Sequence, residues 1–176
     1  MNPTDWIFTR RSIRKYTGEK VPDELISSLL LAGMHAPSAV NKQPWHFLVL
    51  DDQKVFEEII AVHPHAGMLR GASHAILVCG DLKLQHDDGY WIVDCGAVTE
   101  NILLAAHAQG LGACWIGIHP REVRKEAMTR LLDLPAHVVP FALISLGFPA
   151  ETKARADRFT PSKVHYNHWG TPFYRP

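Results

Sequence analysis

The segment from about Tyr90 to Gln109 constrains the fold of this chain more than any other. Its pattern is helical, and beyond Glu100 it is apolar on nearly every face, broken only by Asn101 and His107. A helix of that kind must be buried almost all round. At about 1.5 Å per residue it spans roughly 30 Å, a membrane-like length. Asp94, Glu100, Asn101, His107 and Gln109 exclude lipid, so the cover has to be protein. A chain of 176 residues, 47% of them hydrophobic, suits one domain with one substantial core. A second protein surface is the expected cover, which predicts a homodimer packed around this helix.

The flanking elements are mixed. Val21-Pro22-Asp23-Glu24 opens a helix with proline at its first position and acids in its first turn. Leu25, Ile26, Leu29, Leu30 and Ala32 give it an apolar stripe, and Gly33 and Pro37 close it. Trp45 to Leu50 reads as a strand, ended by Asp51-Asp52 before a helix over about Lys54 to Ala61. His74 to Cys79 is a continuous apolar run, as in a strand covered on both faces. Gly110-Leu111-Gly112-Ala113-Cys114-Trp115 is spelled somewhat like a dinucleotide fingerprint, but a helix precedes it and a strand follows, the reverse of the required order. Gly110 is better placed as a left-handed cap on the long helix. Pro120-Arg121-Glu122 begins a helix to about Leu132, and Val138 to Leu146 forms a last core strand. Helices and strands without regular alternation predict an α+β fold, a mainly antiparallel central sheet flanked by helices, as a single domain over 1–176. The polar and aromatic stretch 151–176 has no strong period and is expected to dock on the partner subunit.

Eighteen basic and eighteen acidic residues give zero formal charge, which removes electrostatic support for a nucleic-acid or membrane-surface role. Met1 to Thr9 lacks the layout of a signal peptide and no segment reads as membrane-spanning, so a cytoplasmic protein is expected. Cys79, Cys95 and Cys114 each lie in an apolar run without cationic neighbours and read as buried, reduced thiols. His63-Pro64-His65 and the pair His165 and His168 match no recognised ligand pattern, so no metal is expected.

Two stretches carry the chemistry. Arg10-Arg11-Ser12-Ile13-Arg14-Lys15-Tyr16 places four cations and a hydroxyl within six residues, a donor set suited to phosphate. Ala36-Pro37-Ser38-Ala39-Val40-Asn41-Lys42-Gln43-Pro44-Trp45 is an amide-rich loop leading into a strand, able to present fixed donors and acceptors to a flat, polar-edged ring. In order, spacing and position both resemble the nitroreductase family of flavin mononucleotide (FMN) enzymes. Asn101 to Ala106 and Gly110 to Gly117 resemble that family's central helix and the glycine-rich strand after it. The resemblance implies the same α+β fold and an intertwined homodimer with shared flavin sites. It implies that Arg10, Arg11, Ser12 and Arg14 hold the FMN phosphate and ribityl chain, with Lys163 as a late cation and Arg158 in reserve. Pro37, Ser38, Ala39 and Asn41 match the loop that reaches the flavin from the opposite subunit. Gln43-Pro44-Trp45 read as a lock on the connection, with proline fixing the backbone and Trp45 filling core space. Ile116 and Gly117 match backbone positions beside the isoalloxazine ring.

The chemistry implied is the cofactor's: FMN takes a hydride from NADH or NADPH and passes electrons to a nitroaromatic, quinone or flavin acceptor in ping-pong turnover, with no catalytic side chain required. Related activities of the same fold, reductive dehalogenation and flavin breakdown, are the alternative, together with a non-catalytic flavin-binding role. A metal-dependent hydrolase built on the histidines is a third reading.

Overall fold

Among the described residues four strands form one antiparallel sheet, whose spatial order is the first, second, fourth and third strand of the chain. They are β1 (Trp45–Leu50), β2 (His74–Asp81), β3 (Gly112–Gly117) and β4 (Val138–Gly147) in the computed structural model, which describes residues 4–87 and 89–174. The helices are α1 (Asp5–Thr9), α2 (Asp23–Met34), α3 (Gln53–Val62), α4 (Tyr90–Ala108) and α5 (Glu122–Leu131). The fold is therefore α+β with an antiparallel sheet, as the sequence indicates.

Side-chain alternation along the strands divides the core in two. Ile76 and Val78 of β2, with Ala142, Ile144 and Leu146 of β4, pack against α2 and α4. Ala75, Leu77, Cys79, Ile116 and Leu143 point the other way, toward α3, α5 and the 3₁₀ turn Gly67–Gly71. Both faces of the sheet are thus covered, which is why β2 is buried from end to end and reads as an unbroken apolar run. Each fully buried Leu or Ile contributes about 1.5–3 kcal/mol by leaving water.

Several local features differ from the sequence reading. Gly33 does not close α2 but lies inside it, buried where α2 crosses α4; a Cβ there would come 3.0 Å from Ile102 Cδ1. Its missing side chain brings the two helices together. Gly110 does cap α4, at φ +76°. Pro120 precedes α5, which starts two residues later at Glu122 with Arg121 as its N-cap. Helix α1, only five residues long, carries too little periodicity to be read from sequence.

Within one chain α4 is covered by its own sheet and by α2, which together already bury most of it, so the second protein surface expected from sequence has only a narrow open side left to cover. Val93 is 69% exposed, as are, to lesser degrees, Trp6, Ile7 and Phe8 of α1 and Leu31 and Met34 of α2. Among the described residues no helix is long and apolar enough to cross a membrane.

Candidate functional site

Strand β3 is an edge of the sheet, and the arginine-rich stretch near the N-terminus is laid against it. Ser12 bridges Ala113 in parallel fashion, with the Ile13 N–H donating to the Ala113 carbonyl at 3.0 Å. A Cβ on Gly112 would stand 2.7 Å from Ile13 Cγ2, so glycine is what admits this segment. On its other side the segment is zipped to the chain leaving β4: Thr17 N–H donates to Phe148 O and Ala150 N–H to Lys15 O. Tyr16 anchors it from below. Its buried hydroxyl donates to Ile13 O at 2.8 Å and sits 2.7 Å from Ser145 Oγ, and burial pushes its pKa above the ordinary phenol value.

Glu151 ties the two segments together. Its Oε1 accepts from the Arg14 N–H (2.6 Å) and the Lys15 N–H (3.3 Å) and lies 3.3 Å from Lys153 Nζ. The Arg14 peptide foremost, then Lys153, hold this carboxyl below its usual range. Lys153 Nζ also donates to the Ser12 carbonyl at 2.8 Å.

Beyond Ala113 no strand pairs with the open edge of β3 among the described residues, and a cavity of about 770 Å³ opens there. Arg14, Lys15, Arg124 and Lys153 face it against a single carboxylate, Glu151. His63, His65 and Met68, from the loop after α3, form another wall, and Cys114 to Gly117 form the floor. Ala113 turns its peptide groups outward to the N-terminal segment, so alternation turns those of Trp115 and Gly117 outward as well. The site thus combines an excess of positive charge with outward N–H groups on a partly apolar floor. Burial raises the Cys114 thiol pKa despite the nearby cations, Arg14 first among them.

Of the residues singled out from sequence, this cavity brings together Arg14, Ile116 and Gly117. Arg10 lies elsewhere: its Nε is 3.2 Å from Glu100 of α4 as a charge contact without an aligned hydrogen bond, and it faces a separate cavity beside Arg155 and Arg158. Arg11 donates to the Ala154 carbonyl, and Ser12 is held by its backbone at the β3 edge. Pro37, Ser38, Ala39 and Asn41 form a loop between α2 and β1 outside the cavity. Ala39 N–H donates to Asp94 Oδ1 of α4 at 3.0 Å, and Val40 and Asn41 adopt positive φ (49° and 56°), a conformation a β-branched residue takes only where the surroundings impose it. Trp45 is buried in the core. Lys163 ends the 3₁₀ turn Pro161–Lys163 and does not line the cavity.

Residues that sequence reading passed over include Lys153, Arg124 and Glu151. Lys153 sits only four residues past the Pro149 that follows β4, where its return alongside residues 11–17 brings it to the cavity. Among the described residues no group of three or more His, Cys, Asp or Glu side chains is disposed to hold a metal ion.

The molecule is a three-layered α+β fold with a cationic cavity at an open sheet edge. The sequence profile of the Nitroreductase family matches residues 7–63 and 55–148, and the chain belongs to that family. A Methanothermobacter thermautotrophicus protein, provisionally named an NADH dehydrogenase/NAD(P)H nitroreductase, is 47% identical over 169 residues, 96% of this chain and 88% of the relative. The crystal structure of a Parabacteroides distasonis protein of the same provisional name superposes with a TM-score of 0.92 at 36% identity, covering 96% of this chain and 100% of that one. A Desulfovibrio desulfuricans structure, a provisionally assigned nitroreductase in complex with FMN, gives a TM-score of 0.84 at 34% identity over 96% and 99% of the two chains.

Proposed function

We propose that this chain is an FMN-dependent oxidoreductase that takes a hydride from NADH or NADPH and reduces a small electrophilic acceptor of the nitroaromatic, quinone or flavin type. The observation that carries this is the cavity at the β3 edge: four cations facing one carboxylate, beside outward N–H groups on a floor wide enough for a ring. Its volume falls within the range of small-molecule sites. A phosphate monoester carries close to two negative charges at neutral pH, and Arg14, Lys15 and Lys153 are the side chains that hold it. Lys153 takes the place of the late cation, being fixed at the site through Ser12 and Glu151, where Lys163 is not. Trp115 and Gly117 offer peptide N–H groups to the ring edge, and Met68 and Ile116 exclude water from its flat surface.

Bound FMN supplies the two-electron chemistry. The protein's part is to orient the ring, present positive charge where reduction builds negative charge, and leave one face open for donor and acceptor in turn. No acid or base need be supplied by a side chain.

The unit that does this is a homodimer with its flavin sites at the subunit interface. The exposed apolar side chains of α1, α2 and α4 support it, because a folded monomer rarely leaves so many large ones in contact with water. Residues 151–155 pack on their own chain, and residues 156–174 fit as an arm on the partner: Phe159, Trp169 and Phe173 are exposed, and Trp169 is 91% so. The strained loop at residues 38–41, pinned to α4 by Asp94, reaches the other subunit's flavin.

The visible spectrum of the purified protein tests the assignment. Supplied with FMN, it should retain flavin absorption that bleaches with NADH or NADPH without oxygen and returns on adding a quinone or nitroaromatic. A colourless protein that oxidises neither nucleotide refutes it.

A further inference from the structure

The histidine-rich loop after α3 has no part in the chemistry above, yet it is built into the cavity. His63 is buried, only 2% exposed. Its Nε2 lies 3.0 Å from the Gly117 carbonyl oxygen, and its Nδ1 accepts the His65 N–H at 3.2 Å. An imidazole that accepts at Nδ1 and meets a carbonyl at Nε2 carries its proton on Nε2. A second donor meets the same oxygen: Arg124 Nη1 of α5, at 2.8 Å. The Gly117 carbonyl is therefore satisfied twice, by a neutral ring and by a guanidinium, which uses both of its lone pairs. Arg124 makes no ion pair among the described residues, so its charge stands uncompensated on the cavity wall.

Gly117 turns this carbonyl to the open edge of β3, the edge that also presents its N–H. Left bare, the oxygen would set a partial negative charge beside a ring whose reduction adds negative charge. We propose that His63 and Arg124 are positioning residues for the cofactor ring: together they occupy the Gly117 carbonyl, so that at this end of the edge strand the ring meets an N–H and a guanidinium in place of a bare oxygen. His63 also ties the loop carrying His65 and Met68 to the edge strand, fixing the width of the cavity. This assignment rests on the flavin reading, and it gives the His63-Pro64-His65 motif a structural task that needs no metal and no proton transfer.

The guanidinium favours the reduced ring over the oxidised one, which is visible in the midpoint potential of the bound cofactor, measured in the holoprotein by anaerobic titration against a dye of known potential. Arg124→Gln should lower the ratio of reduced to oxidised affinity about tenfold, equal to about 30 mV for a two-electron couple. Arg124→Lys, which keeps the charge and loses the fork, should shift the midpoint by less than half as much. A purely packing role for Arg124 would not separate the two variants in this way. FMN bound to Arg124→Gln at an unchanged midpoint overturns the proposal. Wild-type protein that binds no FMN overturns the cofactor reading alone, because the clamp is visible without it. In the apoprotein, nitrogen NMR should show His63 with its proton on Nε2 and the ring neutral at about pH 6.5, where an ordinary imidazole is half charged. Burial lowers its pKa, and the Arg124 and His65 charges lower it further against the raising effect of the Gly117 carbonyl. A proton resting on Nδ1, or a charged ring at that pH, overturns the clamp whatever the flavin result.

Discussion

Gly112→Ala compared with Gly117→Ala isolates the contact that holds the arginine-rich segment on β3. The two glycines end the same strand and the substitution adds the same methyl group to each. At Gly112 the new carbon would lie 2.7 Å from Ile13 Cγ2, 3.0 Å from Ile13 Cβ and 3.3 Å from Pro149 Cβ, whereas at Gly117 nothing lies within 4 Å. Carbon atoms settle at about 3.5–4.0 Å, so Ile13 must retreat by roughly 1 Å. Overpacking of this kind costs about 1–3 kcal/mol, while an addition into open space stays within about 0.5 kcal/mol. For a chain of this size each kcal/mol moves the melting temperature by about 2–4 °C, so Gly112→Ala should melt about 2–12 °C below wild type. Gly117→Ala should track wild type when both are scanned by calorimetry without FMN at one protein concentration. Retreat of Ile13 also drags its neighbours Ser12 and Arg14, so Gly112→Ala should bind FMN more weakly. Equal melting temperatures for the two variants would refute the docking argument.

Val93→Asp places a charge on the open side of α4 and should convert a dimer into monomers by sedimentation, with FMN lost in parallel; an intact dimer would mean that this side of α4 is not the interface. Asp81 gives a pH signature. Burial works to raise its carboxyl, but the Lys83 N–H at 2.8 Å and the His46 ring at 3.3 Å, with His137 behind, outweigh it and hold the pKa below the ordinary value. A carboxyl lowered on folding stabilises the protein above its unfolded pKa, and that contribution disappears as pH falls through the lowered value. Asp81→Asn should therefore melt below wild type at neutral pH, with the gap closing in acid below about pH 3.9. A gap that stays constant across that range would show that the charge is not what matters.

Most of the fold is legible in the residues themselves. The bounds of β1, the two-sided burial of β2 and the left-handed glycine after α4 follow from local pattern, because strand alternation and helix caps are short-range properties. Gly33 is different: its role depends on Ile102, far away in sequence, and only the crossing of α2 on α4 distinguishes a packing glycine from a helix stop. The site divides in the same manner. Arg14, Ile116 and Gly117 lie in motifs and reach the cavity directly. Lys153 and Arg124 stand in stretches without a motif, and it is the return of the chain after β4 and the start of α5 that deliver them. His63 was visible as part of a histidine pair, but its meaning lies in the Gly117 carbonyl 54 residues away. The loop at 37–41 carries a sequence signal, yet within one chain it lies outside the cavity and is tied to α4 through Asp94.

The affinity of the apoprotein for FMN, titrated by quenching of flavin fluorescence, tests the central claim most directly. Each charge-assisted contact to the phosphate should be worth about 1.5–3 kcal/mol, so Arg14→Ala with Lys153→Ala should weaken binding more than a hundredfold, while Lys163→Ala leaves it unchanged. Undiminished affinity in the double variant would contradict the placement of the cofactor at the edge of β3.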